Sequence, residues 1–515
     1  MSLMKGIFMY FMRQTIIVMS RWIEYDLKNE LYEKYQQFPL GFFRKHNTGD
    51  LMARISEDVG KVRMYIGPAV MYGINLIALF IFVIGVMVKV NLELTLYVLL
   101  PLPFLAIGIY KVNQLILARS SAIQKQLGRL TSFSQEAYSG IRVIKSYGLE
   151  NAFSGAFRSE LTQFRGKALD LVKVDALYFP VTMFLIGLST ILTVFIGGIQ
   201  VAEGQITAGN IAEFVIYVNM LTWPVTSVGW VASIMQQAAA SQQRINEILL
   251  EEPEINPYQG AKPLLDGDII LNKVSFTYKQ NGIQALKDIS FHLKKGNTLG
   301  IVGRTGSGKS TLANLISRMY EADTGTIHIN NHLITSLNPG YLRSKMGYIP
   351  QEVFLFSDTI SNNISFGMDN PEIQEIHDAA AKASLYETVE QFPDKFDTLV
   401  GERGVTLSGG QKQRLAIARA LIKKPNIYVI DDCLSALDTH TERDILENIK
   451  ELTQNSSTII IGHRISSVMH ADEIIVLEHG QIVARGTHEQ LIQQKGYYQE
   501  IYLKQQQQES QTTAI

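Results

Sequence analysis

The sequence predicts a multidomain fold with two unlike halves: an all-α, polytopic, membrane-spanning domain with long helical extensions, then an α/β domain. Three observations predict it. Four long runs without a charged residue, 69–88, 94–110, 176–202 and 214–243, fall in the first half. Beyond residue 268 the pattern changes to short apolar strands alternating with helical segments. A glycine-rich loop, GRTGSGKST at 303–311, lies between one such strand, TLGIVG, and a helical segment, STLANLISRMY.

A chain of 515 residues has room for roughly two or three domains, each with its own core. The formal net charge of −1 and a pI near 6.8 leave no electrostatic footprint for nucleic acid. The mean hydropathy of +0.07 averages the two halves. Cys433 is the only cysteine, which excludes an intrachain disulfide and suits a reducing, cytosolic environment.

A bilayer core needs roughly 20 apolar residues per helix. The runs 69–88, 176–202 and 214–243 reach that length, and 94–110 can borrow Val90 and Leu92. Buried soluble helices are the alternative, and four such runs so close together argue against it. The expected spans are 69–88, 92–110, 176–202 and 211–235. Residues 6–20, GIFMYFMRQTIIVMS, are interrupted by Arg13. A signal peptide has no central arginine, and no small-residue cleavage site follows, so a fifth span is expected at 3–22.

Charge sets the topology. The segment after the first span carries seven lysines and arginines between Lys28 and Arg63, and the segment 111–173 carries ten. The opposite turns are short: Lys89 to Glu93, and Glu203 to Asn210 with no lysine or arginine. The positive-inside rule puts both long segments in the cytoplasm. Their apolar spacing, as in LARSSAIQKQLGRLTSFSQEAYSGIRVIKSYGL, predicts helices that continue below the membrane.

The domain at 1–248 ends in a linker at 249–268, LLEEPEINPYQGAKPLLDGD, rich in proline, glycine and acid. The second domain is expected at 269–504, followed by a disordered tail at 505–515. It opens with the strand-like IILNKVSFTY, ending in Tyr278. In the loop, Gly303, Arg304, Thr305, Gly306, Ser307 and Gly308 can wind around phosphate with N–H groups pointing inward, and the following helix adds its positive end. Lys309 reaches the β- and γ-phosphates, Ser310 is placed to ligate Mg²⁺, and Thr311 follows. Asp431 ends the apolar strand NIYVID and is expected to hold Mg²⁺. Ser408, Gly409, Gly410 and Gln411 precede the helix-like QKQRLAIARALI, so the serine hydroxyl and helix N-terminus can cap a γ-phosphate.

LSGGQ at 407–411, between the phosphate loop and the acidic strand end, resembles the signature of the ATP-binding-cassette ATPases. The whole chain resembles one half of a bacterial type IV exporter of that class, the multidrug and lipid-flippase group. The resemblance implies a polytopic transmembrane domain with cytoplasmic helical extensions, followed by an α/β P-loop ATP-binding-cassette domain. It implies ATP and Mg²⁺ as cofactors, a second exporter half as partner, a bilayer, a small amphipathic substrate and the bacterial inner membrane. Six helices precede the cassette in that family, and PLGFFRKHNTGDLMARISEDV at 39–59 resembles its first cytoplasmic loop, so the chain is expected to start at helix two. By the same resemblance Tyr278 stacks on adenine, Gln351 in YIPQEVFLF touches Mg²⁺ or the attacking water, and His463 in TIIIGHRIS contacts the γ-phosphate. LSGGQ then serves the opposite subunit's ATP. VGERG at 400–404 resembles a loop facing the membrane helices, and SALD at 435–438 a loop joining the two sites. Segments near Arg54–Val59 and Tyr147–Glu150 resemble the coupling helices that rest on the cassettes.

The chain departs from the family at Asp432, where the usual residue is the glutamate that polarises the attacking water. Losing one methylene retracts the carboxylate by about 1.3–1.5 Å, and a misplacement near 1 Å can cost on the order of 100-fold in rate. The expectation is an exporter half with a slow site, paired in a heterodimer. The alternatives are a homodimer with slow aspartate-based hydrolysis, a regulatory subunit in which ATP acts as a latch, and an inactive remnant. The spans exclude a soluble DNA-repair ATPase. Asn75, Tyr178, Met183, Asn219, Met220 and Trp223 lie in spans, where such residues more often settle helix packing, and receive no binding role.

Overall fold

The computed structural model describes residues 2–401, 404, 407–433, 439–452 and 456–512. The chain divides into two compact units, Met1–Lys34 with Gly49–Glu251, and Tyr35–Thr48 with Glu252–Ile515.

The first unit is helical. Among the described residues, four helices are long and apolar enough to cross a membrane: Thr48–Val90, Leu92–Ser139, Glu150–Ala202 and Ala208–Leu249. They contain the spans expected at 69–88, 92–110, 176–202 and 211–235, and they continue well past the apolar runs. Residues 3–22 lie in the continuous helix Ser2–Gln37, which is not among those four, and Lys5 and Arg13 interrupt its apolar character. Asn91 makes the first short turn: its backbone is extended and its side chain accepts a hydrogen bond from the N–H of Leu94 at 2.8 Å, starting the next helix. Thr207 and Asn210 form a reciprocal cap at the other turn. Leu94, Val98, Leu105, Phe214 and Leu221 pack as an interior core. Phe82, Phe184 and Phe195 point outward and are exposed, as lipid-facing residues are.

Arg54–Asp58 is a π-helical segment inside Thr48–Val90. Its buried Asp58 accepts a hydrogen bond from Ser241 Oγ at 2.7 Å and pairs with Arg244 at 2.8 Å, while Arg54 pairs with Asp50 at 3.0 Å and donates to the carbonyl of Arg244. Arg54–Val59 is thus held to the helix Ala208–Leu249 within the first unit. The short helix that joins the second unit is Leu40–Lys45. Pro39 precedes it, Phe38 and Phe42 stack with centroids 3.9 Å apart, and Gln280 donates to the carbonyl of Gly41 at 3.2 Å.

The second unit has two sheets among the described residues. The antiparallel one has the order β2 (Ile283–Leu293), β1 (Ile269–Tyr278), β4 (Thr324–Ile329) and β5 (His332–Leu333). The other has the order β10 (Gln481–Gly486), β9 (Glu473–Glu478), β3 (Thr298–Gly303), β8 (Ser457–Ile461), β7 (Ile427–Asp431) and β6 (Met346–Ile349). Strands β9, β3, β8, β7 and β6 run parallel, and β10 is antiparallel to β9. The strands β3, β7 and β8 are buried and aliphatic, as parallel strands covered on both faces must be. The linker region 250–268 carries no helix and one isolated bridge, Ala261 to Leu337.

The tail departs from expectation. Helix Tyr497–Thr512 runs through residues read as disordered, and Gln505 anchors it by accepting from the N–H of Ile465 (2.9 Å) and donating to the carbonyl of His463 (3.1 Å). Glutamine is a good helix former, in keeping with a helix there. Residues 402–403 of VGERG, SALD at 435–438 and residues 513–515 lie outside the described residues.

Candidate active site

Four parallel strands deliver the site. Register pairs Ile301 with Ile461, Ile461 with Asp431, and Ile430 with Ile349, so the ends of β3, β8, β7 and β6 lie at one level. Ligands of open α/β sheets bind outside these carboxyl ends. The residues just past them are the phosphate loop, His463, Asp432 and Gln351.

The loop's shape requires its glycines. A Cβ on Gly303 would run into the carbonyl oxygen of Leu477 and the Oγ of Ser307, and Gly308 has φ +102°. Lys309 opens the helix Lys309–Ile316 and is buried, its Nζ donating to the carbonyls of Gly303 (2.8 Å) and Arg304 (3.0 Å). Burial pushes its ammonium below the usual lysine range, while Asp432 and Asp431 push it back up. Arg304 points away, toward Glu478 (3.8 Å) and the Tyr497 ring. Thr305 and Gly306 form the exposed crest. The buried Oγ of Ser307 has no hydrogen-bond partner among the described residues, leaving a donor inside the loop.

Ser310 Oγ donates to Asp431 Oδ1 at 3.1 Å. Burial raises the Asp431 carboxyl above the usual range, the Ser310 hydrogen bond lowers it, and neighbouring Asp432 raises it again. One hydroxyl and one carboxylate are a hard-oxygen pair of the kind Mg²⁺ takes when nucleotide phosphates complete its shell. Asp432 has φ +44° and donates its N–H to the carbonyl of Ile461 at 2.9 Å. Gln351 Nε2 donates to Asp432 Oδ2 at 3.1 Å, and His463 Nε2 lies 3.8 Å from the same oxygen. Burial holds the His463 imidazolium below its usual pKa, helped by Lys309 and opposed by Asp432. A neutral imidazole and a carboxylate thus converge beside the phosphate loop, with a glutamine that orients the carboxylate. Such a set can position and polarise a water.

Tyr278, at the end of β1, shares a hydrogen bond between its hydroxyl and Thr311 Oγ1 at 2.9 Å. Its ring meets Phe276 and Tyr320 edge-on, and the Arg44 guanidinium lies 5.8 Å from both tyrosine ring centres. Arg44 and Tyr320 were missed in the sequence, since no spacing links them to Tyr278. The only available signal was the location of Arg44 in PLGFFRKH, the segment that carried the loop resemblance.

Ser408, Gly409, Gly410 and Gln411 stand apart. Ser408 Oγ accepts from the N–H of Gln411 (3.3 Å) and Gln411 Oε1 accepts from the N–H of Ser408 (2.8 Å), a reciprocal cap on helix Gly409–Leu421. Among the described residues, no hydrogen bond joins them to the phosphate loop of this chain. A Cβ on Gly409 would meet nothing within 4 Å. Cys433 is buried in the core, and burial raises its thiol pKa, as for an inert packed residue.

Residues 1–225 match the ABC transporter transmembrane region family, and residues 286–435 match the ABC transporter family. The multidrug resistance-like ATP-binding protein MdlA of Escherichia coli is 37% identical over 97% of this chain and 86% of its own length. An ATP-dependent lipid A-core flippase of Pseudomonas fluorescens is 34% identical over 97% of this chain and 83% of its own. Among solved structures, a bacterial Atm1-family ABC exporter with ATP bound superimposes with a TM-score of 0.83 at 25% identity, covering 95% of this chain and 86% of that one.

Proposed function

The chain belongs to the bacterial ATP-binding-cassette exporters of the multidrug and lipid-flippase type, and from this membership we propose a division of labour within its dimer. The protein is a multi-pass inner-membrane protein with a cytoplasmic ATP-binding domain, an ATPase coupled to transport. ABC exporters act as dimers in a membrane.

In the proposal this subunit is the slow-site half of a heterodimer exporting an amphipathic molecule. ATP lies on the loop Gly303–Gly308 with Lys309 at its phosphates and Tyr278 stacked on adenine. Ser310, Asp431 and Gln351 would hold Mg²⁺, which when bound neutralises phosphate charge. His463 holds a neutral ring at the γ-phosphate, and Asp432, one methylene short, aligns water poorly. The signature Ser408–Gln411 caps ATP on the partner. The open space at Gly409 supports that last role, because this chain's own packing gives no reason for glycine there. Asp432 itself carries the slow-site reading.

A second reading, a homodimer using Asp432 as a working base, is favoured by the contacts Asp432 makes with Gln351 and His463. The ATPase of Asp432→Asn separates the two, measured with the chain expressed alone and with a second exporter half. The heterodimer reading expects turnover to stay within a few-fold. Strong turnover of the chain alone, lost by about 10²-fold in Asp432→Asn, on the scale of general-base catalysis, would overturn it.

A further inference from the structure

Helix Tyr497–Thr512 docks on the second unit by one face. Tyr498 is buried in the core, and Ile501 packs against the same cluster. Gln505 comes next at the three- and four-residue spacing of a single helix face. That spacing carries a glutamine to the loop that follows β8. There its amide makes two bonds at once. Oε1 accepts from the N–H of Ile465 at 2.9 Å, and Nε2 donates to the carbonyl of His463 at 3.1 Å.

The loop needs such a partner. The N–H of Gly462 still reaches the carbonyl of Ile301 in β3 at 3.1 Å, but residues 463–465 belong to no strand or helix. Ile465 is buried, so its N–H is shielded from water and would be costly to leave unpaired. Side chains beside it are held separately. Arg464 pairs with the buried carboxylate of Glu442 at 2.7 Å, and that carboxylate also accepts from Ser467 Oγ at 2.7 Å. The Glu442 contacts fix side chains, whereas Gln505 grips the backbone of His463 itself. The imidazole pivots from that backbone, so the grip bears on His463 Nε2, which lies 3.8 Å from Asp432 Oδ2.

We propose that Gln505 is a positioning residue of the ATP site: its amide holds His463 where the imidazole Nε2 meets the γ-phosphate of bound ATP. The role asks for one donor and one acceptor on a side chain of this length. Glutamate lacks the donor and would set an oxygen against the His463 carbonyl. Asparagine falls one methylene short, about 1.3–1.5 Å. The docked helix thereby helps the site tell ATP from ADP, since only ATP has the phosphate that His463 would meet. The inference deepens the proposed nucleotide site and rests on its placing of His463 at the γ-phosphate.

The test uses the full chain assembled with its second exporter half. Photolabelling on ice with azido-ATP, radiolabelled on its α-phosphate, marks this chain's own site once the halves are separated on a gel. Competition by MgATP and by MgADP then gives the ratio of their affinities. His463→Ala should lower the preference for ATP about tenfold, the scale of a hydrogen bond to a charged group. Gln505→Met keeps the shape and removes the amide, and it should lower the preference about threefold or more with ADP affinity unchanged. Gln505→Glu should do the same, because the donor to His463 is gone. In the His463→Ala background Gln505→Met should add nothing, whereas a merely structural loss would add. Hydrogen exchange at the Ile465 amide should quicken in Gln505→Met. An intact preference in both Gln505 variants, with a lowered one in His463→Ala, overturns the proposal alone. So does unchanged exchange at Ile465, or a further drop in the double variant. An intact preference in His463→Ala instead overturns the γ-phosphate reading of His463, and the proposal falls with it.

Discussion

Asp431 is the carboxylate proposed to hold Mg²⁺, and its burial sets how readily it gives up a proton. Burial raises its pKa, so the folded site holds a proton more tightly than the unfolded chain does. The stability that this proton contributes is present below the ordinary carboxylate pKa and is lost as pH rises through the folded value. In the proposed site Mg²⁺ would compete with that proton. The Mg²⁺ enhancement of ATP affinity should therefore shrink as pH falls from about 8 to about 5, and Asp431→Asn should flatten the dependence. Titration calorimetry with ATP and MgATP across that range reads it. His463 does not mimic the effect over most of the window, because its lowered pKa keeps the ring neutral until the acid end.

The element proposed to hold the nucleotide is the loop between β3 and helix Lys309–Ile316. Gly303 permits its close pass over Leu477, and Lys309 spans it by donating to the carbonyls of Gly303 and Arg304. Removing that ammonium takes away the loop's buried cation and its own brace. Ligand at about 100 times its Kd stabilises a protein by about 2.7 kcal/mol. Lys309→Ala should lose most of that protection in a thermal-melt series with MgATP. Unchanged protection would mean that nucleotide is held elsewhere. The helix Gly409–Leu421 is an element of a different kind, because its cap is satisfied internally while the surface at Gly409 stays open.

At the scale of the whole molecule, that open surface is the one proposed to meet the ATP of a second subunit. Gly409→Asp fits sterically in this chain, so the variant should fold and bind ATP on its own loop. In the assembled exporter its carboxylate would face the partner's γ-phosphate, and like charges in such a position cost several kcal/mol. ATPase should fall by about 100-fold or more, the equivalent of about 2.7 kcal/mol in barrier, with nucleotide affinity at Lys309 retained. Full turnover would remove the role in trans. The tip that carries Tyr138, Val143 and Tyr147, all largely exposed, is a second surface this chain leaves uncovered.

By itself the sequence determined whatever depends on local chemistry and period. The uncharged runs placed four membrane helices, because a bilayer fixes their length. The strand–loop–helix of the phosphate-loop motif was legible because its spacing is its geometry, and Asp431 because it ends a short aliphatic strand, whereas His463 after β8 was read by resemblance. Tertiary structure decided what depends on partners distant in the chain. It put Arg54 and Asp58 against Arg244 and Ser241, grouped Leu40–Lys45 with the second unit, and extended the last helix through Gln505 to Thr512. It also brought Arg13, Tyr72 and Trp230 to one open groove. Spacing carries no information about such pairs, since packing between helices selects them by shape and charge after the local elements have formed.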